Sequence, residues 1–299
     1  MKTSSPLVYF GSDDFSARMF ERLLTADFFK SRLKYVVTKT PQKKGRGRVV
    51  TPTAVETLAR TLPGVTILHA NTRKELDQAI KPLPTPLSGV LVSYGVIVSS
   101  FVLNRFEPGL INFHPSLLPK HRGPSPIEGA ILSGEKTTGV SVMKLVEAMD
   151  AGPVYAQHQL KLTGHETTQD LYELIVNKAS DWFAEQLQAI WDGRLLPYEQ
   201  DETRATYTKM IKKQDGFLQP DTQTATECER QIRAYRQFPK SRANIDGQDL
   251  IITKAHVIEN ANEAPLVLRC EKDTFLSVDE LVAPSGKTMS AESYLRGKR

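Results

Sequence analysis

The chain has 299 residues, of which 40% are hydrophobic and 24% charged, and its formal net charge is +5. This length predicts two domains, each large enough to bury its own hydrophobic core. The composition is that of a soluble globular protein without a signal peptide or membrane span, and the positive charge permits an anionic partner without requiring one.

The first half of the chain alternates short apolar strands with helices. We predict strands over 6–10, 33–38, 65–68 and 88–93, and helices from residue 15, over 52–62, over 73–80 and up to residue 104. This alternation predicts a Rossmann-like parallel sheet with helices on both faces. The turn over 11–14 has one glycine, with Asp13 or Asp14 as the helix N-cap. The missing G-x-G-x-x-G fingerprint argues against a nicotinamide oxidoreductase.

A strongly basic segment follows the second strand. Residues 39–48 include five basic residues and no acidic one, and we expect them not to pack as a regular element. The segment is either a solvated loop that aids solubility or a flexible finger that binds nucleic-acid phosphates. In the second case its phosphate contacts are Lys43, Lys44, Arg46 and Arg48.

The clearest chemical signal lies at the end of a later strand. An apolar run from Leu110 ends in Asn112-Phe-His114, and Pro115 stops it. The period of two places Asn112 and His114 on one face, at the carboxyl end of a strand, where open α/β sheets bind ligands. A second strand over 140–146 leads into a loop that carries one carboxylate, Asp150.

These three side chains suit acyl-type transfer. An amide N–H of Asn112 and an N–H of protonated His114 can donate to the oxyanion that forms on an attacked carbonyl. A carboxylate such as Asp150 can favour the charged imidazole and relay protons. No protein nucleophile is required if the substrate supplies an amine. Each residue alone also fits an ordinary turn, so their joint occurrence carries the argument.

The remainder of the chain predicts the end of one domain and all of another. A strand over 154–162 finishes the sheet in antiparallel direction, and a long helix capped by Thr167 or Thr168 follows. Closely spaced short strands near the C-terminus predict a small barrel. We therefore predict a domain over 1–196, a polar linker over 197–205 and a second domain over 206–299.

Three arginines mark the helix that opens the second domain. Arg230, Arg233 and Arg236 are three residues apart, which places them on one face of a helix that starts at Thr224 or Thr226. This face is either simply solvated or a stripe that follows a phosphate backbone.

Together these motifs resemble the folate-dependent formyltransferases over nearly the whole chain. The resemblance is carried by Asn112-Phe-His114-Pro-Ser116-Leu-Leu-Pro119, Arg122-Gly123-x-x-Pro126-Ile127 and Met149-Asp150-Ala-Gly152. It implies formyl transfer from 10-formyltetrahydrofolate to an amine without a metal. It also implies that Asn112, His114 and Asp150 are catalytic. The folate-binding residues that it implies are Tyr94, Gly95, Val96, Ile97, Ser116, Leu117, Leu118 and Pro119.

Within this family the chain is most similar to the members that formylate methionine on initiator methionyl-tRNA. Gly45-Arg46-Gly47 resembles the core of their basic insertion, which implies tRNA contacts from Lys43 to Arg48. The implied second domain is OB-like, a fold often used on oligonucleotides, with the three helix arginines on the tRNA. The residues before the insertion core depart from the usual Asp-Arg-Pro. Pro124-Ser125 stands where Ala-Ala is common, which changes the wall beside the amine.

Two other functions remain open. A formyltransferase acting on an amino-sugar nucleotide or small ribonucleotide amine would share the three catalytic residues, but should lack the basic insertion and the linker with its barrel. A non-catalytic RNA-binding protein on the same scaffold would not need those three residues intact.

The remaining expectations concern the protein's surroundings. Cys228 and Cys270 lack metal-ligand spacing, so we expect reduced thiols in a cytoplasmic protein. The expected partners are initiator methionyl-tRNA and the folate cosubstrate, with no membrane. We expect a monomer. The pattern of residues does not locate a pocket for the methionine side chain.

Overall fold

The computed structural model describes residues 5–44 and 47–297. Contacts between residues divide the chain into two compact units. The first comprises Met1–Pro124, Gly139–Leu160 and Glu173–Tyr207, and the second comprises Ser125–Thr138, Lys161–Tyr172 and Thr208–Arg299. Two segments that precede residue 173 thus belong to the second unit. The linear division with a linker over 197–205 stays a prediction.

The strands of the first 161 residues alternate with helices, as predicted. The strands are β1 (Leu7–Phe10), β2 (Leu33–Thr38), β3 (Gln42–Lys44), β4 (Val49–Thr51), β5 (Thr66–His69), β6 (Leu87–Leu91), β7 (Phe106–His114), β8 (Thr137–Lys144) and β9 (Val154–Lys161). The helices up to residue 191 are α1 (Asp14–Leu23), α2 (Asp27–Lys30), α3 (Ala54–Ala59), α4 (Arg73–Ile80), α5 (Ser100–Leu103), α6 (Pro126–Leu132) and α7 (Thr168–Trp191). Asp13 is the N-cap of α1, and its carboxylate accepts from the Ser16 N–H at 2.8 Å.

A sheet of seven described strands runs in the order β5-β2-β1-β6-β7-β8-β9. The first five strands in this order are parallel, whereas β8 is antiparallel to β7. Hydrogen bonds from Lys144 N to Pro153 O and from Leu162 N to Lys136 O show that β9 is antiparallel to β8. The predicted mostly parallel, Rossmann-like sheet is therefore confirmed.

Aromatic side chains cover both faces of the sheet. Tyr9 and Phe10 are neighbours on β1, so they point to opposite faces, and both are fully buried. Tyr9 stacks on Phe20 with ring centroids 4.3 Å apart. Phe10 meets Tyr94 at 5.8 Å and Phe106 at 5.7 Å in edge contacts. Burial of both faces explains why these strands are apolar throughout rather than alternating.

Strand register brings the chemically interesting end of β7 into the middle of the sheet. Leu91 at the end of β6 pairs with Asn112 on one side of β7. Met143 of β8 pairs with Asn112 on the other side, and Ser141 pairs with His114. The carboxyl end of β7 is therefore flanked by the turn that follows β6 and by the middle of β8.

The basic segment contains regular structure, so the prediction that 39–48 does not pack as a regular element is wrong. β3 and β4 form an antiparallel hairpin in which Lys43 pairs with Val50. The β-branched residues Val49, Val50 and Thr51 explain the difference, because they follow the basic run directly and favour strands. Val49 and Val50 are 66% and 60% exposed. Arg46 lies outside the described residues.

In the described part of the chain, the second unit contains an antiparallel sheet, short helices and the first turn of α7. Besides α6, its elements are α8 (Ala225–Ala234), β10 (Arg242–Ile245), β11 (Gln248–Ile258), β12 (Val267–Cys270), β13 (Thr274–Val282), β14 (Thr288–Ser290) and α9 (Ala291–Arg296). The strand order is β10-β11-β13-β12, with β14 beside β13. Thr224 and Glu227 form a capping box at the start of α8. The predicted small β domain after the α/β domain is thus present.

The position of Arg236 differs from the prediction of a shared helical face. Helix α8 ends at Ala234 with Tyr235 as its C-cap, so Arg236 lies in the turn that follows. Pro239 explains why the helix does not run on through Arg236, since a helical Pro239 would have no N–H for the carbonyl of Tyr235 and its ring would clash with that carbonyl. None of the described helices is long and apolar enough to cross a membrane.

Candidate active site

Strand β7 presents Asn112 and His114 on one face, as the period of two predicts. Both are nearly buried, with 6% and 5% of their surface exposed. Phe113, between them, points the other way and packs against Phe183, with ring centroids 4.7 Å apart. This packing fixes the strand, so the carboxamide and the imidazole are held in a fixed relation to each other.

The imidazole of His114 has a defined orientation. Its Nε2 lies 3.1 Å from the carbonyl oxygen of His121. A carbonyl only accepts hydrogen bonds, so Nε2 carries a proton. Its Nδ1 lies 3.7 Å from Oδ2 of Asp150, which suits an ion pair with an imidazolium but exceeds a hydrogen bond. Nδ1 is therefore the ring nitrogen left for a reacting group.

The backbone conformation of Asp150 and a hydrogen bond from a neighbouring amide set the orientation of its carboxylate. Its φ of +48° lies in the left-handed region, which Asp tolerates better than most residues. Its Oδ2 accepts a hydrogen bond of 2.7 Å from the N–H of Gly123. The same oxygen faces His114, so the amide of Gly123 fixes where the carboxylate meets the imidazole.

The side chain of Asn112 has no hydrogen-bond partner among the described residues. The fully buried side-chain nitrogen and oxygen atoms that lack a partner in the described residues belong to Arg32, Arg105 and Trp191, so the amide atoms of Asn112 still reach solvent. Its neighbours on the same face are a histidine and, through it, an aspartate. The unpaired donors and acceptor of Asn112 thus mark the place where a polar ligand group would bind.

The loop after β7 is held by backbone hydrogen bonds to two side chains. Ser141 Oγ donates to the carbonyl of Ser116 at 2.7 Å and accepts from the N–H of Leu118 at 3.0 Å. Gln157 Nε2 donates to the carbonyl of Leu118 at 2.8 Å. The hydroxyl of Ser116 donates to the carbonyl of Lys120 at 2.6 Å. This loop therefore has a fixed path, and the Ser116 hydroxyl is already used within it.

The turn after β6 offers backbone groups rather than polar side chains. Tyr94 is buried, and its hydroxyl donates to the carbonyl of Ala70 at 2.8 Å. Gly95 has φ +72°, and a side chain there would meet Nζ of Lys39. Ile97 is 72% exposed. Within the described part of the chain, the backbone groups of 94–97 form no hydrogen bonds. They suit a flat heterocycle with a polar edge.

Arg122 is a functional candidate whose role the sequence did not indicate. Its side chain is 1% exposed and forms a two-pronged ion pair with Glu202, at 2.6 and 2.9 Å. It also donates to Gln200 Oε1 at 2.8 and 3.1 Å and to the Tyr207 hydroxyl at 3.1 Å. The hydrogen bond between Arg122 and Glu202 raises the pKa of Arg122 and lowers that of Glu202.

Residues 198–207, which we call the strap, hold the loops that carry His121 and Asp150. Thr206 accepts from the N–H of His121 through its hydroxyl at 2.9 Å and from the N–H of Arg122 through its carbonyl at 2.9 Å. Gln200 Nε2 donates to the carbonyls of Asp150 and Gly152 at 2.8 and 2.7 Å. Much of the segment predicted as a linker is therefore bound to the candidate site. Its polar composition carries no period that could have indicated this.

The predicted phosphate contacts have different surroundings. Lys43 and Arg48 are exposed on or beside the β3–β4 hairpin. Arg233 is instead engaged with the carboxylate of Glu229, at 2.5 and 2.9 Å, and with the carbonyl of Glu166 at 2.8 Å. The guanidinium of Arg230 packs over Gly134, where a Cβ would lie 2.1 Å from it. Arg233 thus has polar partners within its own unit, whereas Arg230 has a packing contact there.

No group of three or more His, Cys, Asp or Glu side chains that could hold a metal occurs among residues 5–44 and 47–297.

The buried thiols Cys228 and Cys270 lie close to each other in the second unit, where their mutual hydrogen bond and burial raise the pKa of Cys228.

Comparisons with known proteins cover almost the entire chain. Residues 7–187 match the family model described as formyl transferase, and residues 210–299 match formyl transferase, C-terminal domain. A methionyl-tRNA formyltransferase of Thermotoga neapolitana is 33% identical over 97% of this chain and 90% of its own length. The enzyme of that name from Roseiflexus castenholzii is 34% identical over 98% and 96%.

Solved structures show a similar fold at low identity. The sugar 3N-formyl transferase WlaRD, crystallised in the presence of dTDP and 5-N-formyl-THF, has a TM-score of 0.67 at 18% identity and covers 91% of this chain and 96% of its own. HypX from Aquifex aeolicus, in complex with tetrahydrofolic acid, has a TM-score of 0.62 at 13% identity over 98% of this chain and 47% of its own. At these identities the likeness concerns the fold alone.

Proposed function

Because the chain belongs to the formyl transferase family, we propose that it transfers a formyl group from 10-formyltetrahydrofolate to the α-amino group of methionine on initiator methionyl-tRNA. The relatives that match it end to end carry the name of this activity. The observation that carries the chemistry is the cluster at the end of β7, in which an unpaired carboxamide, an oriented imidazole and a carboxylate meet.

The proposed reaction needs no protein nucleophile. The amine nitrogen attacks the formyl carbon, a new C–N bond forms, and the formyl oxygen becomes an oxyanion. Asn112 Nδ2 and an imidazolium His114, through Nδ1, donate hydrogen bonds to that oxygen. The amine loses its proton as the bond to N10 of the folate breaks, and N10 takes up a proton. The sum is formyl-methionyl-tRNA and tetrahydrofolate.

Asp150 is proposed to carry that proton. Its carboxylate lies 3.7 Å from His114 Nδ1, close enough to stabilise an imidazolium and beyond hydrogen-bond distance, so a reacting group or a water that lies beside the pair can contact both. The hydrogen bond from Gly123 holds Oδ2 in that place. Most of the rate acceleration then comes from positioning and from stabilisation of the oxyanion.

The residues near the site suit the folate. A pterin ring is flat and has hydrogen-bonding edges, and the turn 94–97 offers unpaired backbone groups next to the exposed side chain of Ile97. We propose that Leu117, Leu118 and Pro119, on the loop after β7, make apolar contacts with the folate. Ser116 takes part through the path of its backbone, since its hydroxyl donates to Lys120. When bound, the folate supplies the formyl group.

We propose that basic side chains at the β3–β4 hairpin hold the tRNA. These are the exposed Lys43 and Arg48, together with Lys44 and Arg46. In the second unit, Arg236 is the exposed one of the three proposed arginines, and it donates to the carbonyl of Thr253, whereas Arg233 is paired with Glu229 and Arg230 packs over Gly134. We propose that the protein works as a monomer in the cytoplasm, where its tRNA substrate is used.

The test is single-turnover formylation of methionine-charged initiator tRNA by the purified protein with 10-formyltetrahydrofolate. We expect fast transfer that falls sharply in Arg46→Ala but not in Arg22→Ala, which removes an exposed arginine from the last turn of α1. Transfer to an amino-sugar nucleotide but not to tRNA would retain the chemistry and reject the substrate. Tight RNA binding without any formyl transfer would reject the enzyme.

A further inference from the structure

We propose that Gln200, on the strap, is a positioning residue for formyl transfer that acts through Asp150 and not on the substrate. The inference rests on the proposed function for its catalytic consequence, but its structural part stands on hydrogen bonds alone. The strap belongs to the same compact unit as β7 and the Asp150 loop.

Both the nitrogen and the oxygen of the Gln200 carboxamide form hydrogen bonds. Its Nε2 donates to two carbonyls of one loop, those of Asp150 at 2.8 Å and Gly152 at 2.7 Å. Its Oε1 accepts from Nε and Nη2 of Arg122, at 3.1 and 2.8 Å. Reversal of the amide would set its oxygen against two carbonyls and its nitrogen against a guanidinium. Only one orientation satisfies all four contacts.

The Asp150 loop needs this support. It joins β8 to β9 without regular structure, it places Asp150 at a positive φ, and it exposes 59% of Met149. A strained backbone conformation persists only where the surroundings hold it. Among the described residues, Gln200 is the side chain that binds the carbonyl of Asp150. The carboxylate itself is held by a different group, the N–H of Gly123.

Arg122 gives Gln200 a fixed anchor. The guanidinium is almost fully buried and is held by Glu202 and Tyr207 besides Gln200. Arg122 also precedes Gly123, whose N–H aims the Asp150 carboxylate. One rigid group thus supports Asp150 from two directions, through the adjacent peptide and through Gln200. Among the described residues, the side chain of Gln200 forms no hydrogen bond with Asn112 or His114.

The test is a double-mutant cycle on single-turnover formylation with saturating folate and methionyl-tRNA. We expect Gln200→Leu to slow transfer by about 100-fold, because displacement of a catalytic group by about 1 Å has effects of that size. Binding of both substrates should stay within about twofold. In an Asp150→Asn background the same change should cost less than about threefold, because the residue through which Gln200 acts is already lost.

Gln188→Leu is the matched control, since Gln188 is exposed on α7 and outside the site. It should leave the rate unchanged. If Gln200→Leu does not fold, Gln200→Glu replaces it, because it keeps the size and the acceptor for Arg122 but removes the donors to the loop. An equal cost in the wild-type and Asp150→Asn backgrounds would overturn the proposal and indicate general destabilisation.

A second readout needs no substrate. Hydrogen exchange of the Gly123 amide reports its bond to Asp150, and we expect at least about tenfold faster exchange in Gln200→Leu. The amide of Leu118, bonded to Ser141, should be unaffected. Unchanged exchange at Gly123 would overturn the proposal. Faster exchange in a protein that forms no formyl-methionyl-tRNA would reject the proposed function while the link from Gln200 to Asp150 stands.

Discussion

Two residues of the site differ in how their polar groups are satisfied, and the difference has consequences for substitution. The imidazole of His114 is oriented by the carbonyl of His121, whereas the carboxamide of Asn112 lacks a hydrogen-bond partner in the described part of the chain. Replacement of His114 therefore breaks a native contact. Replacement of Asn112 removes no hydrogen bond within residues 5–44 and 47–297, so its effects on activity and on stability can be separated.

For Asn112→Ala we expect turnover to fall by about 100- to 1000-fold, because one donor to the oxyanion is lost. The midpoint of thermal unfolding should change little, because no hydrogen bond to the protein is removed. Single-turnover kinetics and calorimetry on the same preparation measure both quantities, with Asn104→Ala on the exposed end of α5 as control. Near-normal turnover in Asn112→Ala would refute the assigned role.

The ion pair of Arg122 and Glu202 predicts an acid-sensitive contribution to stability. The guanidinium lowers the pKa of Glu202, so the carboxylate stabilises the fold above its ordinary pKa of about 4.3. This contribution is lost as the pH falls through the lowered folded-state value. Urea unfolding of wild type and Glu202→Gln should therefore differ at pH 7, and the difference should shrink as the pH falls below about 4.3 and vanish below the lowered pKa of Glu202. A difference that does not depend on pH would contradict this.

At this scale, the sequence predicted what is local. The pairing of Asn112 with His114 follows from the period of two and from Pro115, which ends the strand. The side chain of Arg122 binds Gln200 and Glu202, which follow it in the chain by 78 and 80 residues. No periodicity relates such distant positions, so the polar stretch that carries them resembled a linker.

Among the elements, the β3–β4 hairpin is the one whose form matters most for the proposed substrate. Its two strands pair with each other and with no other described strand. Exposed valines on both faces are unusual for so small a ribbon, which is marginally stable alone. The sequence indicated the charge of this segment correctly but missed its pairing, because the basic run was judged without the β-branched residues that follow it.

We expect Lys43→Ala with Arg48→Ala to weaken tRNA binding and to reduce the slope of log K against log salt by about 2, since each lost phosphate contact contributes about 1. Filter binding or fluorescence anisotropy over a range of salt measures the slope. The control is Lys74→Ala with Lys81→Ala, two exposed lysines at α4, which should leave it unchanged. An unchanged slope in the hairpin variant would remove the hairpin from the tRNA interface.

Helix ends show the limits of pattern reading at this scale. The caps of α1 and α8 were predictable, because Asp13 and Thr224 are side chains that satisfy free N–H groups. The end of α8 was extended too far in the prediction, and this placed Arg236 on a helix that it follows. Basic spacing alone does not reveal where a helix stops.

For the whole molecule, the stretches of chain that form each compact unit differ most from the linear division that the sequence predicted. Helix α6 and the first turn of α7 belong to the unit that contains residues 208–299. Thr168 donates to the carbonyl of Ala234 at 2.6 Å, and Arg233 donates to the carbonyl of Glu166. The second unit is thus assembled from three stretches of chain. Linear reading, which looks for one composition change at a boundary, could not reveal this.

We therefore expect a chain cut after residue 207 to be unstable. It retains Ile127 and Ile131 on α6, which are buried in the full chain, but lacks α8, which packs on that helix. Thermal unfolding followed by circular dichroism should show a lower midpoint or aggregation compared with the full chain. A shortened chain with an unchanged, cooperative transition would contradict this expectation.

The strap also has a consequence during protein synthesis. Asn112, His114 and Asp150 leave the ribosome well before Thr206, whose backbone and hydroxyl hold the loop of His121. At about 5 to 20 residues per second, the 56 residues from Asp150 to Thr206 take about 3 to 11 s to add. Throughout that interval the nascent chain has its reactive groups but not the segment that orders them, so enzymatic competence begins with the strap.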